Sequence, residues 1–356
     1  MLRAFASWAV ADSRPDKQGG RVSAPVKIAV VGVGYLGRFH AEKLARLKTA
    51  DLVGVVDADP AQAESVGKAV GCPSFSDHRE LLGKVEAVSV VTPTVAHHAV
   101  AKDFLLAGAD VMCEKPMTAT LEEADELIAL AHDKGRILQV GHLERFNPAV
   151  EGLFERAGKP MFMEVNRIAP FKARATDVDV TLDLMIHDLD IILALVGSEP
   201  VEIRAKGVPV LGPHADLVNA RLEFADGCVA NVTASRLALK DERKMRMFQP
   251  DAYFSLDFRK RKLLVVSGVE YRPGKLPKVK AERPRFPKSD PLEKELSAFL
   301  DSVRTRQAPR VDGQAGRRAL ACAMSVRACV QEGLCKYQDV LEASPRWVEA
   351  LSAEED

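Results

Sequence analysis

From Val26 to Gly141 the chain alternates apolar runs with amphipathic ones, and no other feature limits its fold as strongly. "VKIAVVGVGYLGRFHAEKLARL" reads as a strand, a glycine-rich turn and a helix. "DLVGVVDADP" is a second strand ending in an acid, and "AQAESVGKAVG" a helix closed by Gly71. "EAVSVVTP", "HHAVAKDFLLAGA", "DVMCE", "TLEEADELIALAHDKG" and "RILQVG" continue the alternation, with Thr120 and Glu123 spaced as a capping box. Strands joined through single helices pair in parallel, so this half predicts a doubly wound parallel sheet.

After about Asn147 the rhythm breaks. "TLDLMIHDLDIILALVG" reads as one long helix, followed by the strand-like runs "PVEIRAKGVPV", "DLVNARLEF", "CVANVTASR", "RKMRMFQ", "AYFSLDF" and "KLLVV". Runs of strands without helices between them predict an α+β domain on a mostly antiparallel sheet. The Pro- and Lys-rich "YRPGKLPKVKAERPRFPKSDP" reads as a loop, and two helices, "LEKELSAFLDSVRTR" and "QAGRRALACAMSVRACVQEG", close this second domain. The division expected is a loosely ordered arm over 1–24, a dinucleotide-binding domain over 25–146, a substrate and oligomerisation domain over 147–335 and a tail over 336–356. The arm lacks a long apolar segment, and Asp12 and Asp16 argue against a transit peptide.

Composition removes several classes of function. Lys plus Arg equals Asp plus Glu at 50 each, so no basic excess points to nucleic acid or an anionic membrane. No apolar run is long enough to span a bilayer. The six cysteines contain no C-x-x-C, which suggests neither a zinc ribbon nor a redox pair but a reduced, cytoplasmic protein.

"GVGYLG" sets Gly32, Gly34 and Gly37 in G-x-G-x-x-G spacing between a strand and a helix. The first glycine permits the tight turn, the second the approach of a pyrophosphate, and the third close helix–strand packing. Asp57 follows Gly37 by 20 positions, where a carboxylate binds the adenine ribose diol. A carboxylate there repels a 2′-phosphate, and no arginine follows directly, so the expected cofactor is NAD rather than NADP.

Two further features ask for an explanation. Lys115 sits between Glu114 and Pro116 at the end of a buried strand. On the otherwise apolar helix, Asp183, His187 and Asp190 fall at i, i+4 and i+7, a polar stripe that must meet polar partners or a wet cavity. A core histidine held by an aspartate explains the stripe alone. A shared metal ion is another reading, but no H-E-x-x-H or cysteine partner supports it. Lys115 at a sheet edge, together with a polar stripe on the next domain, favours a catalytic interdomain cleft.

With these residues in hand the chain resembles the glucose–fructose oxidoreductase/inositol dehydrogenase/MocA family. The likeness runs from about Val26 to Gly333 and rests on "GVGYLGRFHAEKL", "VVDADP", "VVTPTVAHHAVAKDFLLAGADVMCEKP" and the D-x-x-x-H of Asp183 and His187. It implies a Rossmann domain followed by an open-faced sheet domain that builds a dimer or tetramer. It also implies that Lys115 faces the substrate hydroxyl, that Glu114, Thr92, Pro93 and His97 border the cofactor, and that Tyr35 and Leu36 lie over the pyrophosphate. For His97 a structural role at a helix start is an equal alternative.

Within the family, "GHLERFNPAV" and "DVTLDLMIHDLDIILALVGSEPVEI" look most like dehydrogenases acting at C3 of UDP-N-acetylglucosamine, whose keto product is aminated on a route toward lipid A. The implied chemistry is oxidation of a secondary alcohol by NAD, with His187 as base, Asp183 orienting it and Lys115 stabilising the alkoxide. Lys115 is itself a rival for the base. Arg145, Asn147 and Arg167 are candidates for substrate contacts, with ordinary ion pairs or turn roles as their alternative. The rival functions are a dehydrogenase of a free sugar, inositol or UDP-N-acetylglucosaminuronic acid, and a non-catalytic NAD-dependent sensor.

Overall fold

Strands buried on both faces need helices on both sides, and the first half of the chain supplies them. The structure, a computed structural model, describes residues 24–171, 179–211, 214–270 and 278–337; the arm and the tail read from the sequence fall almost wholly outside these. β1 (Val26–Val31), β2 (Ala50–Val56), β3 (Ser74–Phe75), β4 (Ala87–Val90), β5 (Asp110–Glu114) and β6 (Leu138–Gly141) form a parallel sheet in the order β3-β2-β1-β4-β5-β6. The crossovers are α1 (Tyr35–Leu44), α2 (Pro60–Val70), α3 (Thr94–Leu106) and α4 (Leu121–Asp133). Asp59 caps α2, Gly71 closes it at φ 76°, and Thr120 and Glu123 form the capping box of α4. Strand order reverses between β1 and β4, so a ligand crevice opens at their carboxyl ends.

α5 (Pro148–Phe154) leads into a second sheet of β7 (Phe162–Ile168), β8 (Pro200–Val208), β9 (Leu217–Phe224), β10 (Val229–Ser235), β11 (Glu242–Gln249), β12 (Ala252–Asp257), β13 (Lys262–Glu270) and β14 (Lys278–Glu282). Their order is β14-β13-β12-β11-β7-β10-β9-β8, antiparallel throughout except for β7 beside β10. Two of these strands depart from the sequence reading. β7 precedes the polar-striped helix and is not among the strand runs read from the sequence, although its buried and half-buried residues alternate as those of a strand do. β14 lies inside the stretch read as a loop: it is an edge strand with mostly exposed side chains, so it carries no apolar signal.

The long polar-striped helix is two pieces. Thr181–Met185 forms a π-helical turn, and α6 (Ile186–Val196) continues from it to Gly197 at φ 79°. A wider turn rotates the residues before it relative to those after it, so the even stripe read from the sequence does not survive. Asp190 turns inward and is buried, whereas the Asp183 side chain stays 38% exposed at the cleft.

The two terminal helices do not simply close the second domain. α7 (Pro291–Thr305) lays Leu292, Leu296, Phe299, Leu300 and Val303 against Val26, Ile28, Val30, Met112 and Ile137 of the first sheet. α8 (Gly313–Cys335) buries Ala323 and Val326 in the core of the second sheet and Ala315 and Leu320 in that of the first. The dinucleotide-binding domain therefore includes a helix drawn from the far end of the chain.

Candidate active site

β1 runs into the glycine turn, and each glycine has its own reason. Gly32 has φ +83°, and a Cβ there would lie 2.6 Å from the Thr92 nitrogen. A Cβ on Gly37 would fall 1.8 Å from the Gly32 carbonyl oxygen, so helix and turn touch through bare backbone. At Gly34 nothing lies within 4 Å of that position, which leaves room for a phosphate group. α1 starts just after Gly34 with no side-chain cap, so its first N–H groups point to the same space. Tyr35 and Leu36 stand exposed at the lip.

The adjoining groove, of about 710 Å³, is lined by Gly32, Gly34, Asp57, Arg79, Thr92 and Pro93 among others. The Asp57 carboxylate accepts the N–H groups of Val33 (2.8 Å) and Asp59 (3.0 Å), which fixes it at the end of β2. Thr92 Oγ1 is buried without a partner. An open phosphate cradle, a fixed carboxylate and an orphaned hydroxyl along one groove fit NAD. Arg79 was missed: it sits 22 positions beyond Asp57, and only the pairing of β2 with β3 brings its segment back. Asp57→Ala is expected to weaken NAD roughly tenfold to a hundredfold, the cost of a charged hydrogen-bond partner, and to let Arg79 favour a 2′-phosphate. Calorimetric titration of both cofactors checks this; a variant with wild-type affinity and preference would remove Asp57 from the site.

Next to β4 in the sheet, β5 stops at Glu114, because Pro116 has no N–H to continue the ladder. Lys115 crosses to the second domain, where its Nζ donates to the Asp183 carbonyl at 2.8 Å and lies 3.5 Å from Asp183 Oδ1. His187 sits one turn further on, in α6. Burial, with the positive charges of Lys115, Arg167 and Arg243 nearby, pushes its imidazole well below the ordinary histidine range, so it is neutral at neutral pH. Its Nδ1 is buried without a partner. The sequence reading had Asp183 orienting His187; the hydrogen bonds join Asp183 to Lys115 instead, because the π-helical turn directs both its carbonyl and its carboxylate there. The His142 ring stands perpendicular to that of His187 at 6.1 Å between centroids.

Several expected contact residues are occupied by the scaffold. Arg145 is buried and forked onto Asp190, with Nε–Oδ2 at 2.6 Å and Nη2–Oδ1 at 3.0 Å. Arg167 is forked onto Asp188 at 2.8 Å twice, donates to Glu144 at 3.1 Å and lies over the Phe258 ring. Asn147 caps α5 and donates to the Glu144 carboxylate and the Phe258 carbonyl. All three lie at the seam of the two domains and hold it together rather than reaching for a ligand. Arg243, read only as part of a strand, is the more open arginine: its side chain is 38% exposed, its Nη1 lies 3.9 Å from Glu144, and its Nε has no partner.

Glu114 and His97 also face protein. The Glu114 carboxylate lies 3.3 Å from His40 Nε2 and so close to Gly141 that a Cβ there would meet it at 2.6 Å. Burial works to raise its pKa, but the adjacent His40 imidazole and the Lys115 charge hold it below the ordinary carboxylate value. His97 places its ring nitrogens against the Thr92 carbonyl (2.8 Å) and the Pro116 carbonyl (2.9 Å), stapling the groove wall to the lysine turn.

Residues 26–142 match the family model described as an oxidoreductase family with an NAD-binding Rossmann fold, and residues 152–251 match the GFO/IDH/MocA C-terminal domain. The UDP-N-acetylglucosamine 3-dehydrogenase of Acidithiobacillus ferrooxidans is 42% identical over 308 residues, 86% of this chain and 97% of its own. A solved structure of that enzyme superposes with a TM-score of 0.82 at 41% identity, covering 86% of this chain and 98% of the other. The inositol 2-dehydrogenase of Rhizobium meliloti is 31% identical over 231 residues, 60% of this chain and 69% of its own. Levoglucosan dehydrogenase, solved with NADH and levoglucosan, shares the fold at 18% identity and a TM-score of 0.76, covering 86% of this chain and 97% of the other.

Proposed function

The chain belongs to the GFO/IDH/MocA family of NAD-binding oxidoreductases, and on that premise we propose that it oxidises C3 of UDP-N-acetylglucosamine to the 3-keto sugar nucleotide. The substrate is supported by the 42% identity to a dehydrogenase of that sugar nucleotide across 97% of the relative's length. The single observation that carries catalysis is the meeting of Lys115 with Asp183 and His187, on a turn that His97 ties to Thr92 of the dinucleotide groove. A sensor built on the same fold has no use for a neutral, partnerless imidazole next to an anchored ammonium group.

NAD, when bound, supplies the acceptor for the hydride that leaves the carbinol carbon. Every other part falls to side chains of the chain. His187, neutral and with Nε2 left to the cleft, takes the hydroxyl proton. Lys115 donates to the same oxygen and stabilises its alkoxide character as it develops. Asp183 holds the ammonium group in place through two oxygens. With both of them as its partners Lys115 acts as a donor, which favours His187 over Lys115 as the base. Arg243 is the arginine available for an anionic part of the substrate.

The keto product calls for a subsequent transamination, so a sugar aminotransferase is the consumer this reading implies. The second reading, oxidation of inositol or a free sugar, draws on the 31% identity to an inositol dehydrogenase. NADH formation with a panel of UDP-sugars and free polyols decides between them. UDP-N-acetylglucosamine is expected to be turned over, and its keto product to be trapped by an aminotransferase. Turnover of myo-inositol or glucose with none of the UDP-sugar would leave the family in place and overturn the substrate.

A further inference from the structure

His40 and Glu114 have no place in the chemistry so far, yet they meet in an unusual setting. The register of β4, β5 and β6 puts Ser89, Glu114 and Gly141 on one sheet face, the face whose Val30, Ala87 and Met112 pack against α1 and α7. His40 reaches this face from α1. His40 and Ser89 have no exposed surface, and Glu114 is 7% exposed. His40 Nδ1 lies 2.9 Å from Ser89 Oγ, and its Nε2 lies 3.3 Å from Glu114 Oε1, close but not aligned as a hydrogen bond. The same carboxylate rests on Gly141, where a Cβ would meet Oε1 at 2.6 Å and Oε2 at 2.9 Å. Its Oε2 accepts the backbone N–H of Lys115 at 3.2 Å.

A carboxylate withdrawn from water is costly unless nearby groups compensate it. Against burial, the His40 imidazole and the Lys115 charge keep Glu114 ionised. Glu295 of α7 is buried too, but burial and the negative charges of Glu114 and Asp190 push its carboxyl well above the ordinary range. Of these two acids, negative charge is therefore held on the one next to the lysine. The contact also joins two elements with different duties. α1 starts at the phosphate cradle behind Gly34, and β5 ends in the lysine turn. His97 holds the Pro116 carbonyl of that turn, and Glu114 holds its Lys115 N–H. The lysine stem is long and flexible, so where its ammonium group lands depends on the backbone from which it sets out.

We propose that His40 and Glu114 are positioning residues for Lys115. The carboxylate, packed between the His40 ring and Gly141, fixes the backbone N–H from which the lysine crosses to Asp183 and keeps a negative charge near its ammonium group. The inference rests on the reading of Lys115 as the donor to the reacting oxygen.

Three variants and two kinds of readout test it. His40→Asn keeps a polar group near Ser89 but is too short for Glu114. His40→Gln is one bond longer and restores a donor there. Glu114→Gln keeps the shape of the carboxylate and removes its charge. His40→Asn and Glu114→Gln should each slow single-turnover hydride transfer about tenfold to a hundredfold, the cost of misplacing a group at the reacting atoms. NAD is expected to bind nearly as before, and His40→Gln to recover most of the rate. In a Lys115→Met background the same substitutions should change the rate by less than about twofold, since residues that act through the lysine then have nothing to position. The second readout needs no turnover. With lysine labelled at its ε carbon, the signal missing from Lys115→Met identifies Lys115. In the NAD-bound protein that signal should shift in His40→Asn and Glu114→Gln and return toward the wild-type position in His40→Gln. Wild-type hydride transfer in both His40→Asn and Glu114→Gln would overturn the proposal. So would an equal loss of rate in the wild-type and Lys115→Met backgrounds, the mark of a purely structural role. If the wild type oxidises none of the panel, or Lys115→Met transfers hydride at the wild-type rate, the reading of Lys115 as donor fails. The labelled signal then decides the placement by itself: an unchanged Lys115 signal in His40→Asn and Glu114→Gln would overturn that too.

Discussion

Lys115→Met is expected to lower single-turnover hydride transfer by about 10²–10⁴-fold while NAD binds nearly as tightly as before, the range for a group acting directly on the reacting oxygen. The methionine keeps the length and apolar stem of the lysine and loses only the donor. The glycine turn, Asp57 and Thr92 lie along the other part of the groove and are not in contact with the Lys115 head group. Asp183 loses its partner, but its side chain is 38% exposed and water replaces the ammonium group, so little stability is lost. Rapid-mixing kinetics, NAD titration and a melting curve on one preparation separate these effects. Hydride transfer at the wild-type rate would reduce the lysine to a turn residue. Asp183→Asn weakens the hold on Lys115 and should show a smaller version of the same defect.

His187→Ala is expected to cost a similar factor, about 10²–10⁴-fold, and the double variant with Lys115→Met should lose far less than the product of the two. Both groups act on one oxygen and one proton, so once either is gone the other has little left to stabilise. The pH dependence carries a second signature. The folded protein holds His187 neutral well below the ordinary histidine value of 6.5, whereas the unfolded chain binds a proton there as pH drops through that value. The unfolded state then binds more protons, so this residue's contribution to stability is complete above pH 6.5 and is lost on acidification. His187→Ala should therefore flatten the acid side of the stability curve while removing activity across the range. Activity that merely tracks the folded fraction would make the residue structural.

Where the chemistry is local, the sequence was legible. The glycine spacing, Asp57 after the second strand and the lysine before Pro116 each state their geometry within a few residues, because backbone sterics dictate it there. The alternation of strands and helices did the same for the parallel sheet. What stayed hidden depended on partners far along the chain. Arg145 and Arg167 read equally as substrate contacts or as ordinary ion pairs until Asp190 and Asp188 were folded against them. Asp183 and His187 looked like a pair at helical spacing, and a π-helical turn, which leaves no compositional mark, parted them. His142 carried no signal at all, since one histidine after a strand is ordinary until a second ring is set across from it.

The return of α7 to the first sheet has a consequence for the birth of the protein. As the chain leaves the ribosome, the strands that bind the dinucleotide emerge first, but the sheet face carrying Ile28, Val30 and Met112, which Ala41, Leu44 and Val66 cover early, is completed only when Leu296, Phe299 and Leu300 arrive. The whole of the second sheet is synthesised in between. The cofactor domain is thus begun first and completed late, with part of an apolar surface open while the second sheet is made. A fragment cut at the apparent domain boundary would keep every cofactor-binding residue and still lack the helix that lets them fold.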